Sequence, residues 1–256
     1  MCLLVFAWKV HPQYDLILAA NRDEFFNRPA RAATFWEEYP DLLAGMDIKG
    51  GGTWLGITLD GKFSAITNYR DMNMHKPDAP TRGNLPLDYL KGGKVPSAYI
   101  DSVRSEADRF NGFNLIIGDK NCIWYYSNIE NKPRELRPGI YGLSNHLLDS
   151  PWPKVERAKE GLAAIIGNGK PDLEALFGIL SDRTPAPDNR LPETGLDKTT
   201  EKKLSSAFIE MEGYGTRSST IIMLGRNGQV EFRERVNQNG NTVPSVDTSY
   251  RFLVPG

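Results

Sequence analysis

Two strand-length apolar runs lie within the first twenty residues, CLLVFAW (2–8) and YDLILAA (14–20), with His-Pro-Gln between them. Neither run is long enough to cross a bilayer as a helix, which takes about 20 apolar residues. The first also lacks the basic segment and small-residue cleavage site of a secretory signal. Apolar runs of this length joined by a few turn residues predict a hairpin. A run that is apolar at successive positions, rather than alternately, predicts a strand buried on both faces. The chain therefore opens on a buried central strand, and Cys2 stands at its head.

The same logic recurs downstream. TWLGITL (53–59) and KFSAIT (62–67) flank Asp60-Gly61, a pair that tolerates the positive φ of a hairpin turn. FNLIIGD (113–119), CIWYYSN (122–128) and GIYGLSN (139–145) read as strands, as do SSTIIMLGR (218–226) and QVEFRERV (229–236) around Asn227-Gly228. RFLV (251–254) reads as a closing strand. Helices are expected over 84–91, over 96–110 with Pro96-Ser97 as its start and Asn111-Gly112 as its stop, over 153–167 and over 172–180. Residues 182–206 read as a long polar surface loop with a short helix. Strands come first and last with helices between, mostly as hairpins, which favours an α+β fold with antiparallel sheets over a doubly wound parallel one.

Composition excludes several function classes. With 31 basic and 32 acidic residues spread along 256 positions, the chain has no basic stripe for nucleic acid. Two cysteines do not make a disulfide framework, and a reducing, cytoplasmic setting is expected. His11, His75 and His146 are far apart and carry no metal-ligand spacing, so no metal site is expected. Gly50-Gly51-Gly52 is followed by no Lys-Ser/Thr pair and reads as a tight turn rather than a phosphate cradle. No GxSxG elbow is present.

The polar residues left at strand ends and turns are Cys2, Asn21-Arg22-Asp23-Glu24, Asn68, Asn145 and Arg217. Taken singly, each has an ordinary structural explanation, since Cys is often buried and Asn and Asp favour turns. Together with the Met-Cys start, NRP (27–29), AGMDIKGGGTWLG (44–56), TNYR (67–70), TRG (81–83), YGLSN (141–145), WPKV (152–155) and TRSST (216–220), they form a recognisable set. The chain resembles the transport and Golgi organisation protein 2 family, also called the NRDE family, over nearly its whole length. The resemblance implies one N-terminal nucleophile hydrolase-like domain over residues 1–256. Its expected architecture is an α+β, four-layer αββα sandwich with two stacked antiparallel sheets.

A more distant resemblance, to choloylglycine hydrolases and penicillin V acylases, implies chemistry. Those enzymes start with a nucleophilic cysteine and carry Arg, Asp, Asn, Asn and Arg downstream, and Cys2, Asp23, Asn68, Asn145 and Arg217 follow that order here. They space the first Arg and Asp three apart, whereas Arg22 and Asp23 are adjacent. Once Met1 is removed, Cys2 would offer its thiol as nucleophile and its own α-amine as base. Asp23 is expected to orient the amine, Asn68 and Asn145 to stabilise an oxyanion, and Arg22 or Arg217 to favour the thiolate or hold an anionic substrate group. Arg22 and Asn21 are expected at the substrate. The expected substrate is an amide or thioester of an N-acyl compound, with no cofactor. The alternative implied by the family is a non-catalytic binding or trafficking protein for haem or an acyl or lipid ligand, with Cys2 as a soft ligand to haem iron. No stretch encodes the substrate's identity or the oligomeric state.

Overall fold

The computed structural model describes residues 2–237 and 246–255, and of Cys2 and Val246 the backbone only. Met1, whose removal the reading of Cys2 requires, lies outside the described residues. In chain order the strands and helices are β1 (Cys2–Trp8), β2 (Tyr14–Phe25), β3 (Ala30–Phe35), β4 (Leu42–Asp47), β5 (Leu55–Thr58) and β6 (Phe63–Asn68). There follow α1 (Asn84–Lys91), α2 (Pro96–Arg104), β7 (Phe113–Gly118), β8 (Ile123–Ser127), β9 (Arg134–Glu135) and β10 (Gly139–Leu143). The rest are α3 (Pro153–Gly167), α4 (Leu173–Leu180), α5 (Lys198–Lys203), β11 (Glu210–Met211), β12 (Tyr214–Gly225), β13 (Gln229–Val236) and β14 (Val246–Leu253). The chain divides into two compact units, Met1–Asn27 with Pro138–Phe252 and Arg28–Arg137 with Leu253–Gly256.

The first unit is an antiparallel sheet in the order β10-β1-β2-β12-β13-β14, with β11 paired to β12. β1 lies inside this sheet and is buried from Leu3 to Trp8, which is why its sequence is apolar at every position instead of alternating. Its odd-numbered side chains, Leu3, Val5 and Ala7, share a core with Ile17 and Ala19 of β2, Ile221 and Met223 of β12, and the apolar stripes of α3 and α4. Val155, Ala158 and Leu162 supply the stripe on α3, and Leu176, Phe177 and Leu180 that on α4. Removing any one of these large side chains from water stabilises the fold by roughly 1.5–3 kcal/mol. The even-numbered residues of β1 form the opposite face, where Phe6 stacks on Tyr141 of β10 with ring centroids 5.3 Å apart.

The second unit is an antiparallel meander, β3-β4-β5-β6-β7-β8-β9, with α1 and α2 inserted between β6 and β7. Leu85, Tyr89 and Leu90 of α1 and Tyr99, Ile100 and Val103 of α2 pack with Leu42, Ala44, Leu115, Ile117 and Tyr126 of the strands. The Asn-Arg-Pro stretch has a mechanical role here. Arg28 donates from Nε and Nη2 to both carboxylate oxygens of Asp47, at 2.7 to 3.1 Å, and so ties the start of β3 to the end of β4. The Asp60-Gly61 turn joins β5 to β6 as expected, with Gly61 at φ +85°.

Several boundaries differ from expectation. The strand expected over 14–20 continues to Phe25 and takes the whole Asn-Arg-Asp-Glu stretch with it, because β12 starts at Tyr214 and pairs that far, Tyr214 opposite Phe25. The helix expected to reach residue 110 closes at Arg104. There the Ser105 hydroxyl donates to the carbonyl of Ser102, a local bond that competes with helix continuation. A 3-10 turn at Ala107–Arg109 follows. Two ordinary strands, β3 and β4, were not marked by alternation or turn pairs and were missed.

The three-glycine stretch is a turn, and its last member is forced by packing. A Cβ on Gly52 would lie 2.3 Å from the carbonyl carbon and oxygen of Gly83, and the Thr53 N–H donates to that same oxygen at 3.0 Å. Gly52→Ala is therefore expected to destabilise the protein by about 1–3 kcal/mol. Gly93→Ala, where an added Cβ meets nothing within 4 Å, should stay within about 0.5 kcal/mol of wild type. Urea unfolding midpoints of the two variants check this.

Candidate active site

The hydrogen-bonded register of the first unit's sheet decides which expected residues meet. β1 and β2 pair so that Cys2 lies opposite Arg22 and Leu3 opposite Asn21. On the other side of β2, Arg22 pairs with Ser218 and Asp23 with Thr216, and the register shifts between Thr216 and Ser218. Arg217 is thus the extra residue of a β-bulge, a device that re-aims a side chain at the end of a ladder. On the far side of β1, Leu4 pairs with Leu143. Cys2 precedes Leu4 by two residues and Asn145 follows Leu143 by two, so in this antiparallel pair both lie at the same end of the sheet. Five expected residues, Cys2, Arg22, Asp23, Asn145 and Arg217, therefore gather at one end of four adjacent strands. Asn68 closes β6 in the second unit, opposite Phe113.

Strand alternation splits the Asn-Arg-Asp stretch between the two faces. Asn21 and Asp23 fall on the face that carries α3 and α4, and Arg22 on the other. Asn21 is a strut. Its Nδ2 donates to the carbonyls of Leu180 and Ala207, both at 2.8 Å, and its Oδ1 accepts from the Ser219 hydroxyl at 2.7 Å. Both donors and the acceptor are engaged by protein, so the expected substrate contact gives way to a scaffolding role that pins α4 and the segment before β11 to β2.

Asp23 is 1% exposed. Its Oδ1 accepts from the Thr216 hydroxyl at 2.7 Å, and the same hydroxyl accepts the Ile209 backbone N–H at 2.9 Å. Burial pushes the carboxyl above the usual carboxylate range, opposed first by the charge of Lys154 and then by the Thr216 bond and Arg22. Lys154, in the first turn of α3, is itself 2% exposed and donates from Nζ to the Leu204 carbonyl at 2.9 Å. Sequence reading took WPKV only as a family motif and missed this lysine. The signal was there: residues 154, 158 and 162 share one helical stripe with Val155, and that stripe is the buried one.

Arg22 is buried, 5% exposed. Arg217 is partly exposed and donates from Nη1 to the Phe25 carbonyl at 2.8 Å. Burial and then the neighbouring charge of Arg22 lower the pKa of Arg217, and Glu24 opposes them. Two guanidinium groups, of the kind that favour a thiolate or an anionic ligand, thus stand at this strand end beside the acidic Asp23 and Glu24. Asn145 is fully buried beside Ser144. His146, next along, holds Ser150 through Nδ1 at 2.6 Å, and its ring lies 5.8 Å from that of Trp152. Among the described residues no three His, Cys, Asp or Glu side chains come together to hold a metal, and no helix is long and apolar enough to cross a membrane.

Two outcomes follow from this geometry. Asn21→Ala strands two carbonyls and a hydroxyl in the interior, and a loss of about 3 kcal/mol or more is expected in chemical unfolding. Burial lowers the pKa of His146. Its neutral form is thus favoured in the folded chain, and the stability this gives is complete above the unfolded value of about 6.5 and lost as pH falls below it. The melting temperature should drop between about pH 7.5 and about pH 5.5, and the drop should be smaller in His146→Gln.

The chain matches the family described as Transport and Golgi organisation 2 over residues 1–239. The Transport and Golgi organization protein 2 homolog of Bos taurus is 38% identical over 98% of this chain and 99% of its own length. The Mus musculus homolog is 35% identical over 99% of both. A solved structure of the Caenorhabditis elegans N-acylethanolamine-hydrolyzing acid amidase ortholog aligns with a TM-score of 0.51 at 12% identity, covering 86% of this chain and 92% of that one. The α+β fold with two antiparallel sheets is that of the N-terminal nucleophile hydrolases. The chain belongs to the Transport and Golgi organisation 2 family.

Proposed function

We propose that this protein is a cysteine amidohydrolase of the N-terminal nucleophile type, acting on the amide of an N-acyl substrate. The observation that carries the reading is the register that sets Arg22, and beside it Asp23, across from the first residue of β1, with Asn145 at the same sheet end. Removal of Met1 gives Cys2 a free α-amine, whose ordinary pKa of about 7.7–8.0 leaves a useful neutral fraction near pH 7. The amine takes the thiol proton as Sγ bonds to the amide carbon. The Asn145 amide donates to the resulting oxyanion. Collapse breaks the C–N bond, and the departing amine takes the proton back from the α-ammonium. Water then attacks the thioester by the same route, releases the carboxylic acid and restores the thiol. Asp23 accepts from the α-ammonium and fixes its direction, while Arg22 and Arg217 favour the thiolate and attract an anionic group on the substrate. The amide as the bond cleaved is carried over from the amidase with which the fold is shared.

The test combines an intact-mass measurement with turnover of a panel of N-acyl amides. Loss of the Met1 mass and hydrolysis abolished by Cys2→Ala are expected. Asn145→Ala should slow turnover on the order of a hundredfold or more. A retained Met1 with turnover unchanged in Cys2→Ala would sink the reading. A haem absorbance change lost in Cys2→Ala would then point to the carrier role instead.

A further inference from the structure

A lysine and an aspartate, Lys154 and Asp23, each almost wholly removed from water, sit on the helix-covered face of the first unit's sheet. Burying one charge costs several kcal/mol unless an opposite charge accompanies it. The chain segment between α5 and β11 links the two. Its Leu204 carbonyl takes the Lys154 Nζ, its Ala207 carbonyl takes Asn21, and its Ile209 N–H donates to the Thr216 hydroxyl that in turn donates to Asp23. Lys154 and Asp23 are thus fastened to one strip of backbone, and both lie on the face where α3 packs.

We propose that Lys154 is a positioning residue for Cys2: it supplies the interior charge that keeps Asp23 a carboxylate and hence able to hold the α-amine. The proposal rests on the reading of Cys2 as an N-terminal nucleophile. Of the influences that oppose the burial of Asp23, the charge of Lys154 is the largest, ahead of the Thr216 bond and Arg22. Arg22 shares its strand but projects to the opposite face. Arg217 on β12 reaches the Phe25 carbonyl. Glu174, at the start of α4, is held by Arg235 of β13 through a 3.0 Å bond. Glu201 on α5 accepts the Thr194 N–H at 3.2 Å and the Thr194 hydroxyl. A neutral Asp23 would orient an ammonium poorly and would offer no charge to Lys154. An ionised Asp23 resolves both.

The experiment has two readouts on the full chain, and neither needs the natural substrate. The first is the carboxyl titration of Asp23 by carbon NMR. The second is the pH profile of iodoacetamide alkylation at Cys2, with Cys122 as the internal control read from its own peptide. In the wild type Asp23 is expected to be ionised at neutral pH. In Lys154→Met its titration should move upward by about 1–3 pH units, a 10- to 1000-fold change in proton affinity. The Cys2 profile should move with it while the Cys122 profile stays in place. An Asp23 that is protonated at neutral pH in the wild type overturns the proposal, whether or not the variant folds. So does a Cys2 profile unmoved while Asp23 shifts, since that leaves Lys154 a structural counterion only. If the pair responds as expected but Cys2→Ala still hydrolyses N-acyl amides at the wild-type rate, the nucleophile reading fails and the charge pair does not.

Discussion

The backbone pairing of β2 between β1 and β12 is the constraint on which the rest of the site depends. Seven residues of β2, Leu16 to Arg22, are paired with β1 on one side and β12 on the other. Because side chains alternate along a strand, fixing the pairing also fixes which residues reach each face, and a slip of one residue would exchange them all. With Leu3 opposite Asn21, the helix-facing side receives Asn21 and Asp23, and the other side receives Arg22. The apolar run of β1 sets that strand's place inside the sheet. It offers no polar position to turn toward water, so the strand is stable only when covered on both faces.

The polar stretch then becomes part of the strand for an energetic reason. Buried polar groups persist when their hydrogen bonds are made. Asn21 makes three with protein, and Asp23 is bonded by Thr216. These bonds come from α4, from the segment before β11 and from β12, so the helical layer is fastened to the sheet at the point where the site lies. A site built on strands and tied to its helices in this way has little freedom to drift, which suits chemistry that needs positioned groups.

Most of the sheet was legible in the sequence, where a turn pair or an apolar run marked it. β1, the β5–β6 hairpin and the β12–β13 hairpin all carried such marks. β3 and β4 did not, because their mixed side chains are organised by long-range contacts such as Arg28 with Asp47. The extent of β2 was hidden for a related reason. Asn, Arg and Asp in a row look like a turn until the distant partners that satisfy them are known. In the site, the register brings Cys2, Arg22, Asp23, Asn145 and Arg217 to one sheet end, while Asn68 lies in the second unit. Asn21, expected at the substrate, has its amide engaged by the protein itself. Lys154 was overlooked because a lysine on a helix is usually solvated, and only the stripe it shares with Ala158 and Leu162 marks it as buried.

The central claim is that Cys2 becomes the first residue and forms the covalent intermediate. Peptide mapping of the protein after brief exposure to an activated N-acyl anilide tests it most directly. The account predicts an N-terminal peptide that begins at Cys2 and carries the acyl mass on its sulfur. An N-terminal peptide that still begins at Met1, with no acyl group, would contradict it.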